Sequence, residues 1–131
     1  MKRVATYGTF DLFHIGHLRI LKRARRFGSY LLVGLSVDSF CLERGKEVVI
    51  PYEQRKEILL GTKYVDEVIP VSSFEQKYKD IEDYKINVFV MGDDWEGKQE
   101  PVGCEMIYLK RTPSISTTFL KNELQKRHAT M

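Results

Sequence analysis

Cysteine is scarce: there are two, Cys41 and Cys104, far apart in a chain of 131 residues. Such a pair builds no disulfide framework, and with no Cys-x-x-Cys beside the histidines it argues against a zinc site. Long apolar runs are absent, which excludes a membrane-spanning helix. The opening residues read as a strand rather than a signal peptide, so the expected setting is reducing and cytoplasmic. A large excess of one charge is also missing. The net charge of +3 is too mild to argue for nucleic acid, and the basic cluster Lys22-Arg23-Ala24-Arg25-Arg26 reads as the solvated face of a helix. Gly8 and Gly16 do not form Gly-x-Gly-x-x-Gly, so the dinucleotide fingerprint is missing. Gly45-Lys46 is followed by Glu47, and no P-loop occurs. No Gly-x-Ser-x-Gly elbow marks a serine hydrolase. There is no internal repeat, low-complexity segment or linker. What remains is 43% apolar and 30% charged residues, the balance of a single globular domain, 1–131, with a real core.

Strand and helix patterns alternate along that domain. Val4–Tyr7, Tyr30–Ser36, Val65–Ile69, Ile86–Met91 and Met106–Leu109 read as strands. Helices are expected after His17, with Leu18, Ile20, Leu21, Ala24 and Phe27 on one buried face and a stop at Gly28; from Pro51 to Leu60, ended by Gly61; from Phe74 to Tyr84, with Ser73 and Gln76 at capping-box spacing; and from Thr117 or Thr118, carrying Phe119, Leu120 and Leu124. Residues 37–49 read as a polar loop centred on Arg44-Gly45-Lys46. The alternation predicts an α/β, Rossmann-like, doubly wound parallel sheet. Ligands bind outside the carboxyl ends of such strands, so the loops 8–17, 92–97 and 111–118 should converge on one crevice.

The most informative loop is Gly8-Thr9-Phe10-Asp11-Leu12-Phe13-His14-Ile15-Gly16-His17. A strand, a glycine-bearing turn and a helix start together aim backbone N–H groups and a positive helix end at whatever sits above the strand, which favours phosphate. His14 and His17 share a face of the first turn, and each imidazole can donate a hydrogen bond to a phosphate oxygen. Gly16 lets a ligand approach the backbone. Taken alone, His-x-x-His is more often a surface or capping pair than an active site. In the last loop, Arg111 offers a forked donor for phosphate, while Ser116, Thr117 and Thr118 suit either helix capping or phosphate binding. Asp93 and Asp94 suit either a magnesium ion or a turn.

The whole string Gly-Thr-Phe-Asp-x-x-His-x-Gly-His resembles the signature of the cytidylyltransferase family of the nucleotidyltransferase superfamily. Met91–Gly97, Tyr64–Ile69 and Glu75-Gln76-Lys77 are similar to stretches of bacterial glycerol-3-phosphate cytidylyltransferases. The likeness runs from Val4 to about Leu124. It implies a homodimer that uses CTP, with magnesium, on a small phosphorylated acceptor such as glycerol 3-phosphate. It implies His14, His17 and Lys46 as catalytic residues. Thr9, Phe10, Asp11, Ile15, Gly16, Arg111, Thr112, Ile115, Ser116, Thr117 and Thr118 would hold the nucleotide, and Asp94 the ribose or base rather than metal. The chain departs from the pattern at Pro113-Ser114, where the family has an acidic residue and glycine, at Lys63 and Phe74, where it has arginine and tryptophan, and at Arg44-Gly45-Lys46 for Lys-x-Lys.

A phosphate monoester is mostly dianionic at neutral pH, its second pKa being about 6, so it needs no general base to attack the α-phosphorus. Two anionic reactants do need cations between them. Arg44, Arg55, Lys63 and Lys77 are the candidates for the acceptor, with Arg44 and Lys46 on a loop that could close as a lid. ATP with the same machinery, a non-catalytic nucleotide-binding module, and RNA binding through the basic helix face are the rival readings.

Overall fold

In the computed structural model, residues 2–92, 103–110 and 117–129 are described. Five strands, β1 (Arg3–Gly8), β2 (Tyr30–Ser36), β3 (Glu67–Val71), β4 (Val88–Gly92) and β5 (Glu105–Leu109), form one parallel sheet in the order β3-β2-β1-β4-β5. Helices α1 (Ile15–Arg25), α2 (Asp38–Glu43), α3 (Tyr52–Leu60), α4 (Gln76–Asp83) and α5 (Thr117–Ala129) complete the chain. The chain runs outward from β1 to β2 and β3, then crosses back to β4 on the other side of β1. The β1/β4 boundary is therefore the topological switch point, where an open α/β sheet leaves its crevice.

β1 is buried on both faces because its side chains alternate. Val4 joins Leu31, Val33, Leu35, Val68, Val88 and Val90 under Leu21 and Ala24 of α1 and Leu59 of α3. Ala5 joins Leu32, Ile69 and Phe89 under Ile81 of α4. The near-continuous apolar run of β2 follows from this double cover. Tyr7 lies close over β2: a Cβ on Gly34 would sit 2.3 Å from its ring, so that position has no room for a side chain. The Tyr7 hydroxyl donates to Asp80 of α4, whose carboxylate also accepts from Gln76 Nε2 at 3.1 Å. Burial, then that hydrogen bond, holds the phenol above its ordinary pKa. Among the described residues no helix is long and apolar enough to cross a membrane.

Several element boundaries differ from expectation. Residues 38–43 form α2 rather than loop, burying Phe40 and Cys41; six residues are too few for a helical period to show. The third strand starts and ends two residues late, running through Pro70. Proline is tolerated there because β3 is an edge strand, bonded only to β2. The capping box at Ser73 does not form. Gln76 opens α4 from an uncapped Glu75, and its side chain instead accepts from the Ser72 amide at 3.0 Å and donates to Pro70 O at 2.8 Å. Pro51 is the N-cap of α3 rather than its first residue. The first helix ends at Arg25, with Arg26 as its C-cap, ahead of Gly28.

Candidate active site

A cavity of about 970 Å3 opens at the carboxyl ends of the central strands. It is lined by β1 and its turn, by His14, Gly16, His17 and Ile20, by residues 45–49, by Gly92, and by Lys121, Leu124 and Gln125 of α5. The turn from β1 to α1 is strained: Phe10 and Leu12 have φ of 50° and 49°, the left-handed region that non-glycine residues seldom occupy. Two contacts stabilise it. The Phe10 ring packs where a Cβ on Gly8 would stand, 2.5 Å from Cε2. The Asp11 carboxylate, in a residue 2% exposed, accepts from the amides of Leu12 at 3.1 Å, Val49 at 2.8 Å and Ile50 at 2.9 Å.

The two histidines cap the helix they begin. His14 Nδ1 accepts from the Gly16 amide at 3.0 Å, and His17 Nδ1 accepts from the His14 amide at 3.2 Å. This reciprocal pair is a capping box built from imidazoles. Their rings stack with centroids 3.8 Å apart. Because each Nδ1 accepts a hydrogen bond, the ring proton of each neutral imidazole sits on Nε2. Burial, then the neighbouring His14, pushes the pKa of His17 down to about 4, with Asp11 opposing; burial lowers that of His14. Both rings are therefore neutral donors at pH 7. His14 Nε2 is buried with no partner among the described residues.

The chain matches the Cytidylyltransferase-like family over residues 5–123. It belongs to that family. It is 54% identical to the glycerol-3-phosphate cytidylyltransferase of Bacillus subtilis (strain 168), covering 95% of this chain and 98% of the relative. It is 51% identical to the glycerol-3-phosphate cytidylyltransferase of Staphylococcus aureus (strain NCTC 8325 / PS 47), covering 98% and 99%. The fold is also that of a lipopolysaccharide core biosynthesis protein from Thermoplasma volcanium GSS1, at a TM-score of 0.69 and 23% identity over 86% of this chain and 97% of that one.

In this cytidylyltransferase-like chain the expected nucleotide residues divide. Thr9, Phe10, Asp11, Gly16, His14, His17 and Lys46 line the cavity. Ile15 opens α1 and is 47% exposed, off the cavity wall. Asp11 has a different task from the one expected: a carboxylate accepts only, and its oxygens take backbone amides rather than a phosphate. Asp94, Arg111, Thr112, Ile115 and Ser116 lie outside the described residues, and Thr117 and Thr118 are the first two residues of α5.

The acceptor cations fare less well. Arg55 is 1% exposed. Its guanidinium donates to Ile50 O at 2.8 Å, Thr9 O at 2.8 Å and Ser36 O at 2.9 Å, and pairs with Asp38 at 2.6 Å. It ties the strand-end loops together, with four of its five N–H groups engaged within the protein. Lys63 stands at the wrong end of the sheet. It precedes β3, and in a parallel sheet that puts it at the amino ends, where its ammonium lies 5.5 Å from the Tyr64 ring centroid. Arg44 is held between Phe40 and Phe74, 4.6 Å and 5.1 Å from their ring centroids. Its Nη2 is 3.4 Å from Thr9 Oγ1, and its buried Nε has no partner among the described residues. Lys77, three residues after Phe74 and 6% exposed, has its pKa lowered by burial. Arg44 thus stands on the rim beyond Thr9, next to the cavity rather than in its wall, while the Lys77 ammonium lies 5.6 Å from the Tyr78 ring centroid and does not line the cavity. Lys121 was missed altogether. In the sequence it is one more cation on the last expected helix, with no local pattern to mark it.

Proposed function

We propose that this chain transfers the cytidylyl group of CTP to glycerol 3-phosphate, releasing pyrophosphate and forming CDP-glycerol. The observation that carries the reading is the pair of neutral imidazoles whose Nδ1 atoms are occupied by helix amides, leaving two Nε2–H donors at the switch-point crevice. The choice of CTP and glycerol 3-phosphate rests on the relatives that cover nearly the whole chain.

In the reaction an oxygen of the acceptor phosphate forms a bond to the α-phosphorus as the bond to the bridging oxygen breaks, and pyrophosphate leaves. The attacking group is already a dianion, so the protein's work is positioning and charge stabilisation. His14 and His17 donate to phosphate oxygens, Lys46 faces the α-phosphate, and the start of α5 receives the β and γ groups. Arg44 and Lys77 screen the acceptor. Neutral histidines suit this role, because they donate without a proton that could be lost to the substrate. Among the described residues no group of three His, Cys, Asp or Glu side chains could hold a metal, and Asp11 is engaged with amides. Magnesium in this reading travels with CTP as part of the substrate and neutralises the leaving pyrophosphate. A cytoplasmic homodimer belongs to the same reading, by resemblance to the family, and sedimentation velocity checks the dimer.

The test is pyrophosphate release with magnesium and either CTP or ATP, across glycerol 3-phosphate and other phosphorylated polyols. Release should require CTP and be fastest with glycerol 3-phosphate. Faster release with ATP would overturn the nucleotide assignment, and a neutral alcohol or another phosphate as best acceptor would overturn the acceptor.

A further inference from the structure

Lys121 occupies an unusual place. It comes from α5, late in the chain, yet its Nζ donates to Glu47 O at 2.7 Å and lies 3.7 Å from Asp11 Oδ2. Three separate pieces of the cavity wall meet at this point: the β1–α1 turn that carries the histidines, the 45–49 loop that carries Lys46, and α5. The Lys121 side chain is only 32% exposed and that of Asp11 3%, so the pair sits where water screens charge weakly.

Asp11 poses a problem that Lys121 answers. Its carboxylate is needed to hold the amides of Val49 and Ile50, which fixes the start of α3 and closes the loop. It also leaves a buried negative charge in the wall of a cavity that, on the reading above, receives a triphosphate. An unscreened carboxylate there repels the ligand. The ammonium of Lys121 offsets that charge, and its second bond, to Glu47 O, anchors the loop from the opposite side.

We propose that Lys121 is a positioning residue for the nucleotide: it ties the Lys46 loop to α5 and offsets the charge of Asp11, so that one side chain acts on both cavity geometry and cavity charge. The inference rests on the CTP reading for its functional half only, since the tie exists in the free protein.

Two measurements on Lys121→Met separate these halves. In the absence of nucleotide, hydrogen exchange at the Val49 and Ile50 amides should speed up by about tenfold, the size of effect expected when one hydrogen bond to a charged group is lost. By calorimetry the Kd for CTP should rise by about tenfold, while the KM for glycerol 3-phosphate moves less than about twofold. Lys121→Arg should restore slow exchange. Lys121→Gln, which can still donate to Glu47 O but carries no charge, should keep amide exchange slow and yet weaken CTP binding. Unchanged amide exchange overturns the tie. Faster exchange with an unaltered Kd, or equal rises in both substrate constants, overturns the nucleotide role. Undiminished CTP affinity in Lys121→Gln overturns the neutralisation of Asp11. If the wild-type protein binds no CTP, the function reading fails by itself, and the exchange result still decides the tie.

Discussion

At the amino ends of the strands, the Asp66 carboxylate accepts from the Leu31 amide at 2.8 Å and pairs with Arg25 at 3.5 Å. There too Tyr30 donates to Glu67 at 2.6 Å, and Arg3 is held by Tyr84 O at 2.7 Å and by the Tyr30 ring. At the carboxyl ends, His14 Nε2 and Arg44 Nε are buried without partners among the described residues, two histidine pKa values are depressed, and Phe10 and Leu12 are strained. The same sheet carries charge at both ends, but one end satisfies it internally and the other leaves donors in hand. Unmet donors and local strain both cost stability. Left-handed backbone also occurs at the amino end, at Lys85 with φ of 54°, but among the described residues the unmet buried side-chain donors gather at the carboxyl end alone, and that marks where binding supplies what folding does not.

The comparison breaks most severely at His17. His17→Ala should lower turnover by at least about a hundredfold, as for removing one preorganised donor, while a thermal melt falls by only about 5 °C, the cost of the lost cap; near-normal turnover would end the catalytic assignment. Arg55 sharpens the comparison from the other side, because it sits at the crevice end but behaves like the opposite one. Arg55→Ala should cost about 3 kcal/mol in urea unfolding, since it leaves three carbonyls without their donor and empties a fully buried site. A variant of native stability with only a raised acceptor KM would return Arg55 to the acceptor site.

Lys77→Met should raise the KM for glycerol 3-phosphate by about tenfold, the loss of one charge-assisted contact, with the KM for CTP nearly constant. Equal rises in both would remove Lys77 from the acceptor side. The smallest effect is one of pH. The folded His17 resists protonation down to about pH 4, whereas the unfolded ring takes a proton near pH 6.5. Within that window the unfolded chain binds more protons, so stability falls as pH falls from 6.5 towards 4. Urea midpoints between those values should show a flatter profile for His17→Asn than for the wild type.

Much of the fold was legible, because a sheet covered on both faces writes its strands as apolar runs, and β2 is found where Tyr30–Ser36 predicted it. The histidine turn was legible because glycine, hydroxyl, carboxylate and imidazole fall in one short string. The errors have physical causes. An arginine reads alike whether it faces water or, like Arg55, fills a buried hub, since composition carries no burial. Lys63 was misplaced by proximity to a strand, though in a parallel sheet the residue before a strand belongs to the far end. Asp11 was taken for a ligand contact because the amides it holds are nearly forty positions away in sequence. Lys121 joins parts of the chain that no local pattern connects.

That distance bears on when the site comes into being. A turn with two left-handed residues gains little from its own neighbours and depends on Asp11 reaching Val49 and Ile50. Closing so long a loop costs entropy that local structure does not repay. The polypeptide must therefore extend past residue 50, and for the Lys121 contact into α5, before the histidine turn is held in place. The histidine turn, though it directly follows β1, is among the last parts of the fold to be set.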